Sequence, residues 1–174
     1  MSTAEVVVKE RSVLGESPVW SVAEQALYWV DVLNPRIHRF DPSTGTHDSW
    51  LVETEIGSIG LASGNHLIVG LRMGFACYDL GSSEIGIIAD PEGDGRYNAN
   101  RLNDGKIDRA GRFWCGSMQD PGHEPVGTLY RMDTDRTVHS MVGGIRVPNA
   151  LCWSPDNRIM YFADSFAGCM WEYD

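Results

Sequence analysis

The sequence predicts an all-β protein built from repeated blades of antiparallel strands, and three observations point to this class. Short runs rich in aromatic and β-branched residues alternate with turn clusters along the chain. Related units recur at an average spacing of about 44 residues, which is typical of β-propeller blades. No long stretch combines a helical hydrophobic period with capping residues. The 19 glycines and 8 prolines agree with many short elements joined by turns.

The clearest repeat relates the first part of the chain to the last. Residues 16–41 overlay residues 149–174 without a gap, at a constant offset of 133, so that Trp20 meets Trp153. Two looser copies lie between these units. The four units end near residues 41, 79, 133 and 174. We therefore expect residues 1–174 to form a single partial β-propeller domain with about four blades.

Each unit contains two neighbouring strand candidates that are dense in aromatic and β-branched residues. The first candidates are 27–31, 66–70, 112–116 and 159–163. The second candidates are 36–40, 76–78, 127–131 and 169–173. Turn clusters bound these runs, and aspartates such as Asp31 and Asp164 recur at matching places. We interpret the recurring aspartates as turn-stabilising residues, because positions that carry chemistry tend to differ between repeats.

Composition argues against several classes of function. Lys and Arg total 14 against 24 Asp and Glu, a formal charge of −10, which disfavours nucleic acid and anionic membrane surfaces as partners. No run approaches the roughly 18 apolar residues of a membrane helix. The four cysteines form no CxxC pair, and the first ten residues lack the apolar core of a secretory signal. We therefore expect reduced, packed cysteines in a cytoplasmic protein.

Candidate metal ligands stand where the first strand of a unit begins. The first unit has Glu16 at this point, the third has Asn103 and the fourth has Asn149. In a propeller such positions converge on the central channel. Carboxylate and amide oxygens suit hard cations such as Ca²⁺, Mg²⁺ or Mn²⁺. Glu and Asn are also ordinary turn residues, so the sequence leaves a purely structural role open.

The densest polar cluster is residues 101–106, which read Arg-Leu-Asn-Asp-Gly-Lys. If the blades are as predicted, this cluster lies beside the channel entrance. An arginine near a metal can clamp a carboxyl or hydroxyl group of a substrate. An Asn-Asp-Gly surface turn is the alternative interpretation of the same residues, and both stay open.

Several motifs resemble, in order, those of the SMP-30/gluconolactonase/luciferin-regenerating-enzyme family, which includes regucalcin and sugar lactonases. The matching stretches are residues 14–20, 28–31, 101–106, 111–118, 127–131 and 149–156. The resemblance implies a six-bladed β-propeller with one divalent metal in the central channel. This chain would supply about four of those blades and form an incomplete ring.

The resemblance also implies roles for individual residues. Glu16 and Asn149 correspond to metal ligands of the family, and Ca²⁺, Zn²⁺, Mn²⁺ and Fe²⁺ are the candidate ions. Arg101 and Asn103 correspond to residues that hold the oxygens of the substrate. Asp120 falls where some members place a further acid in contact with the substrate. A third protein ligand, the aspartate that acts as general base, is expected beyond the last residue of this chain.

Three hypotheses about function follow. The first is a metal-dependent hydrolase that opens small sugar lactones, the second is a non-catalytic calcium-binding protein of the regucalcin type, and the third is an inactive truncated member. An open propeller exposes strand edges and uncovered blade faces. We therefore expect either a missing C-terminal portion or self-association, and no strand partner for the valines at 6–8.

Overall fold

The computed structural model describes residues 3–93 and 99–174, and in these ranges the chain forms fifteen β-strands and no helix. Within that part of the chain there is consequently no helix suited to crossing a membrane. The strands of the described ranges form four antiparallel sheets that follow one another along the sequence. We call these sheets blades 1 to 4. The predicted all-β propeller architecture is confirmed.

The strands run in sequence order from the innermost to the outermost in each blade. Blade 1 contains β1 (Gly15–Ser21), β2 (Ala26–Asp31), β3 (Arg36–Asp41) and β4 (Thr46–Leu51). Blade 2 contains β5 (Ile56–Leu61), β6 (His66–Leu71), β7 (Gly74–Asp79) and β8 (Ile85–Ala89). Blade 3 contains β9 (Asn100–Ile107), β10 (Phe113–Gln119), β11 (Gly127–Met132) and β12 (Val138–Ile145). Blade 4 contains β13 (Pro148–Trp153), β14 (Met160–Asp164) and β15 (Cys169–Tyr173).

The strand candidates taken from the sequence coincide with the second and third strands of the blades. The predicted unit ends accordingly fall at the ends of β3, β7, β11 and β15. The outer strands β4, β8 and β12 lie between the predicted units and went unrecognised. These strands are mostly exposed or half-buried, because each pairs on one side only. Weak burial leaves a weak hydrophobic pattern in the sequence.

Neighbouring blades pack face to face through apolar side chains. Tyr28 of blade 1 and Tyr78 of blade 2 belong to one buried cluster. Phe75 of blade 2 contacts Phe113 of blade 3 edge to face, with ring centroids 6.0 Å apart. A third cluster joins blades 3 and 4. Each fully buried apolar side chain contributes about 1.5–3 kcal/mol relative to an exposed one, so these layers fix the order of the blades.

The cysteines differ from the sequence expectation. All four are free thiols, but Cys152 is exposed, Cys77 and Cys169 are half-buried, and Cys115 alone of the four is buried. The expectation of packed cysteines is therefore wrong for Cys152. Strand β13 has one covered face, and residues that follow one another in a strand point to opposite faces. Cys152 lies on the uncovered face of this strand, which explains its exposure.

The segment before β1 forms no strand over residues 3–14. Val6 and Val7 are 79% and 69% exposed. The absence of a strand partner for the valines at 6–8 stays a prediction.

Candidate functional site

The innermost strand of each blade carries a β-bulge in the described ranges, and the candidate residues lie at these bulges. In β1 the ladder skips from Glu16 to Val19, and in β13 it skips from Asn149 to Cys152. The residues that follow the two candidates, Ser17 and Ala150, have φ of 52° and 57°. Non-glycine residues seldom adopt this left-handed conformation, and a bulge re-aims the neighbouring side chain. Blades 1 and 4 therefore present Glu16 and Asn149 in the same local geometry.

Asn103 does not occupy the same ladder position as Glu16 and Asn149. In β9 the last paired residue before the bulge is Leu102, so Asn103 lies inside the bulge, one residue further along. The equivalence expected from the sequence is thus displaced by one residue. The cause is the local irregularity of the ladder, which a count of residues in the sequence does not reveal.

Gly57 in the bulge of β5 allows the inner strands of blades 2 and 3 to approach closely. A Cβ atom built on Gly57 would lie 2.6 Å from the carbonyl oxygen of Leu102 and 2.7 Å from the Cα of Asn103. Because real Cβ atoms do not approach backbone so closely, only glycine permits this spacing. The lack of a Cβ atom at Gly57 therefore lets the bulge of β9 lie directly against β5.

Asn103 is held between its own strand and blade 4. Its Nδ2 donates to the carbonyl oxygen of Pro148 at 2.9 Å, and its Oδ1 accepts a hydrogen bond from Nη1 of Arg101 at 2.9 Å. Asp104 accepts a longer hydrogen bond, 3.4 Å, from the N–H of Leu151. The bulge of blade 3 is thus attached to the strand that carries Asn149. The structure places Arg101, Asn103 and Asn149 on adjoining inner strands.

Arg101 is buried and its guanidinium has several partners. Its side chain is 6% exposed, its Nε donates to Oδ2 of Asp120, and its Nη1 also reaches the carbonyl of Leu102 at 3.2 Å. Charge-assisted bonds of this kind fix the plane of a guanidinium. Asp120, proposed from the sequence as a substrate contact, has Arg101 as its nearest charged partner.

A second arginine extends this network into blade 2. Nε and Nη2 of Arg72 donate to the two carboxylate oxygens of Glu55 at 2.8 and 3.0 Å. Nη1 of Arg72 donates to the carbonyl of Asp120 at 3.2 Å, and its Nη2 lies 3.7 Å from Oδ2 of the same residue. Sequence reasoning missed Arg72 and Glu55, since neither belongs to a recognised motif and the pairing of β5 with β6 is what brings them together.

Negative charge is concentrated at the bulges of β1 and β9. Burial raises the pKa of Glu16, the charge of Asp104 raises it further, and Arg101 acts in the opposite direction. Burial also raises the pKa of Asp104, against the effect of backbone hydrogen bonds. A carboxylate whose ionised form is disfavoured by burial and by a second carboxylate provides a suitable environment for a cation.

The donor types at the inner strands fit a hard divalent cation. Glu16 offers carboxylate oxygens, and Asn149 offers a carbonyl oxygen because its Nδ2 is engaged with Oγ of Ser165 at 2.9 Å. Within residues 3–93 and 99–174, no three His, Cys, Asp or Glu side chains form a metal-binding group. Metal ligation by Glu16 and Asn149 therefore stays a prediction, as do the substrate contacts of Arg101, Asn103 and Asp120.

Cys115 lies beneath the bulge of β9 and serves packing. Its Sγ is 3.4 Å from Oγ of Ser58 and 3.6 Å from the carbonyl of Asn103. Burial raises the pKa of the thiol to about 12, so the thiolate needed for nucleophilic attack does not form near neutral pH.

Comparison with known proteins gives a consistent group of relatives. A family model described as SMP-30/Gluconolactonase/LRE-like region matches residues 14–174. A 6-deoxy-6-sulfogluconolactonase from Pseudomonas putida is 38% identical over 173 residues, which cover 98% of this chain and 58% of that protein. A regucalcin from Xenopus laevis is 33% identical over 168 residues, covering 94% of this chain and 56% of that protein. The chain thus spans less than two thirds of the length of these curated relatives.

A solved structure shows the same fold. It is described as a calcium-binding protein, regucalcin, from Agrobacterium tumefaciens, and it matches with a TM-score of 0.88 over 96% of this chain. The match covers 56% of that regucalcin-type six-bladed propeller, at 23% sequence identity. The four blades of the described ranges therefore correspond to part of such a ring.

Proposed function

The chain belongs to the SMP-30/Gluconolactonase/LRE-like family, and from this premise we propose that it forms part of a metal-dependent sugar lactonase. The family inferred from the sequence motifs is thereby confirmed. In this proposal residues 1–174 are one partial propeller domain, and the substrate is a small sugar lactone.

The geometry of Arg101 and Asn103 is the observation that carries the proposal. Both side chains are held by short-range polar contacts at the end of the inner strands where Glu16 also lies. The Arg101 guanidinium and the Asn103 amide together carry seven N–H groups, more than the four donor bonds described above use, and such fixed donors suit hydroxyl and ring oxygens. A lactone presents such oxygens around one carbonyl carbon, so the arrangement suits recognition of a polyhydroxylated ester.

In the proposed reaction the residues of this chain bind and orient the substrate. Glu16 and Asn149 would hold the cation, and Arg101 and Asn103 would hold the substrate through its oxygens. A divalent cation bound there supplies a Lewis acid that polarises the lactone carbonyl. Fixing the lactone in one orientation lowers the entropic part of the barrier to attack by water. The general base is not assigned to any of these residues.

Acid release from sugar lactones tests the proposal. Glucono-, xylono- and arabinono-lactone are incubated with the chain and Ca²⁺, Mn²⁺, Zn²⁺ or Fe²⁺ while a pH-stat records the rate. We expect metal-dependent hydrolysis above the spontaneous rate, and a loss of at least about tenfold in Glu16→Gln. The matched control is Glu84→Gln, which alters an exposed glutamate between β7 and β8, at the end of blade 2 opposite its bulge. A rate equal to the spontaneous one with every metal would contradict the proposal for this chain.

A non-catalytic calcium-binding role is the second candidate. The 33% identity to a regucalcin and the two carboxylates at the bulges, Glu16 and Asp104, favour it. It predicts stoichiometric Ca²⁺ binding by calorimetry without turnover, and loss of binding in Glu16→Ala. Absence of both binding and turnover would instead agree with an inactive member of the family.

A further inference from the structure

Arg72 lies where the second strand of blade 2 ends, on the same side of the blades as the candidate site. The second strand of a blade runs antiparallel to the innermost one, so its last residue lies beside the first residues of that inner strand. Arg72 directly follows β6, and its N–H donates to the carbonyl of Glu55 at 3.0 Å. Asp120 directly follows β10, and its N–H donates to the carbonyl of Ala99 at 2.8 Å. Both residues therefore stand at corresponding corners of adjacent blades.

The charges along the network alternate in sign from Glu55 through Arg72 and Asp120 to Arg101. Nε and Nη2 of Arg72 donate two parallel hydrogen bonds to the carboxylate of Glu55, and Nη1 donates to the carbonyl of Asp120. Asp120 in turn accepts from Nε of Arg101, and Arg101 donates to Asn103. A two-point contact fixes the plane of the Arg72 guanidinium as well as its position.

We propose that Arg72 is a positioning residue, which holds the Asp120 corner and through it sets the orientation of Arg101 in the substrate site. The substrate part of this statement rests on the proposed lactonase function. Arg72 contacts Asp120 at its backbone carbonyl and lies near its carboxylate, so it restrains both the chain and the side chain. Asp120 is about a third exposed, with a side chain 32% accessible, and needs such a restraint to offer one fixed acceptor to Arg101.

The size of the expected effect follows from geometry rather than from the strength of the ion pair. Half-exposed ion pairs contribute little to stability. Displacing a binding group by about 1 Å, however, can lower a rate by roughly 10²-fold. Arg72 therefore influences the site far more through the position of Arg101 than through the folding of blade 2.

A matched ion pair at the opposite end of blade 3 separates positioning from stability. Arg131 donates to the two oxygens of Asp133 at 2.7 and 3.0 Å, which reproduces the two-point contact of Arg72 with Glu55. Strand β11 starts at the end of blade 3 where the candidate site lies and runs away from it. Asp133 directly follows the last residue of β11 and therefore lies at the opposite end of the blade from Arg101. Arg131→Met thus removes an equivalent pair, together with the contact of Arg131 over the Trp114 ring, without touching the network.

The first measurement is proton exchange at Nε–H of Arg101 by ¹⁵N-edited NMR on the whole chain. Its signal is assigned by its absence in Arg101→Lys. Because this proton is buried and bonded to Asp120, it exchanges slowly in the unmodified chain. We expect exchange at least about tenfold faster in Arg72→Met, an intermediate rate in Arg72→Lys, and no change in Arg131→Met. A protected Arg101 signal in folded Arg72→Met would overturn the proposal.

The second measurement is the kinetics of lactone hydrolysis with the same variants. Arg72→Met should lower kcat/KM at least about tenfold, with the larger part in KM, because Arg101 binds the substrate before the reaction and orients it during the reaction. An unchanged KM together with altered exchange would also overturn the proposal. If no variant and not even the unmodified chain turns over a lactone, the proposed function fails, while the exchange rates still decide the role of Arg72. Should Arg72→Met not fold, Arg72→Lys and Arg72→Gln take its place.

Discussion

Blades 1 and 4 and blades 2 and 3 use the end of the second strand in two different ways. In blade 1, Asp31 accepts hydrogen bonds from the N–H groups of Val13, Leu14 and Asn34 at 2.8–3.2 Å. In blade 4, Asp164 lies 133 residues after Asp31 and accepts the corresponding hydrogen bonds. Its donors are the N–H groups of Arg146, Val147, Phe166 and Ala167.

In blades 2 and 3 the strand ends at Leu71 and Gln119, and no carboxylate closes the corner within the strand. Arg72 and Asp120 follow instead and contact each other across the blade boundary. At the end of the second strand, blades 1 and 4 thus have an aspartate that binds backbone N–H groups of its own blade. Blades 2 and 3 have, one residue later, side chains that connect the two blades to each other. Identity between repeats marks the structural use, and difference between repeats marks the use that involves the candidate site.

Removing Asp31 or Asp164, which we call the clamp aspartates because each holds several backbone N–H groups, should have the largest effect on stability. Asp31 and Asp164 are 1% and 2% exposed, and either change to Ala leaves three or four backbone N–H groups without their acceptor. We expect each variant to lose about 3 kcal/mol of unfolding free energy in urea titrations, since each part-buried N–H that loses its acceptor costs about 1 kcal/mol, the lower end of the range for unsatisfied donors. Asp48→Ala, which removes a surface partner of Arg39, should lose less than about 1 kcal/mol. Equal losses in all three variants would contradict the clamp.

Gly57→Ala should have the next largest effect, because it acts where blades 2 and 3 approach each other. The added Cβ would lie 2.6 Å from backbone, and neither inner strand can move without disturbing the bulge. Overpacking of this kind costs about 1–3 kcal/mol, and we expect about 2 kcal/mol by urea titration. The control is Gly143→Ala in β12, where nothing lies within 4 Å of the new atom. A neutral Gly57→Ala would mean that the strands tolerate a wider spacing.

The sequence predicted the aspartates that recur in blades 1 and 4 and did not predict the contacts that connect blades 2 and 3. Asp31 and Asp164 were recognisable as turn-stabilising residues because the offset of 133 aligns them and because Asp readily accepts backbone hydrogen bonds. Glu16, Arg101 and Asn149 were recognisable from motifs. The network of Arg72 was not, since its partners come from separate blades and only packing brings them together.

Bulges and outer strands escaped the sequence for related reasons. A bulge shifts the pairing by one residue without any marker in a single sequence, which displaced Asn103 from its expected equivalence. The outer strands lack the burial that produces a strong hydrophobic pattern. Local chemistry and repetition were thus visible, whereas register and contacts between blades required the fold.

The Arg72–Glu55 pair should contribute a small, pH-dependent stability. Hydrogen bonding to Arg72 lowers the pKa of Glu55 from its ordinary value of 4.5 to about 2. A carboxyl whose pKa is lower in the folded state stabilises the fold above its unfolded value, and this contribution is lost as pH falls from 4.5 towards 2. We expect Arg72→Met to cost about 1 kcal/mol at pH 6, with the difference vanishing near pH 2 in thermal unfolding curves. A difference independent of pH would contradict the assignment.

The smallest expected effects come from the left-handed residues that follow Glu16 and Asn149, and they should differ in sign. Ala150 is exposed at φ 57°, where an L-residue is strained by about 1–2 kcal/mol and glycine is not. Ala150→Gly should therefore raise the unfolding free energy by about 0.5 kcal/mol, after the entropic cost of glycine is subtracted. Ser17 has φ 52°, but its Oγ also accepts the N–H of Ile59 in blade 2 at 3.0 Å.

Ser17→Gly removes this contact between blades along with the strain, so we expect a net loss of about 0.5–1 kcal/mol. Urea titrations of both variants, with the double variant as a check of additivity, measure the two signs. A gain in stability at both positions would mean that backbone strain dominates and that the hydrogen bond to blade 2 is not significant, whereas a loss at both would contradict the strain assigned to Ala150. Opposite signs would show that the same left-handed conformation, repeated 133 residues apart, is compensated by a hydrogen bond to the next blade at Ser17 and remains strained at Ala150.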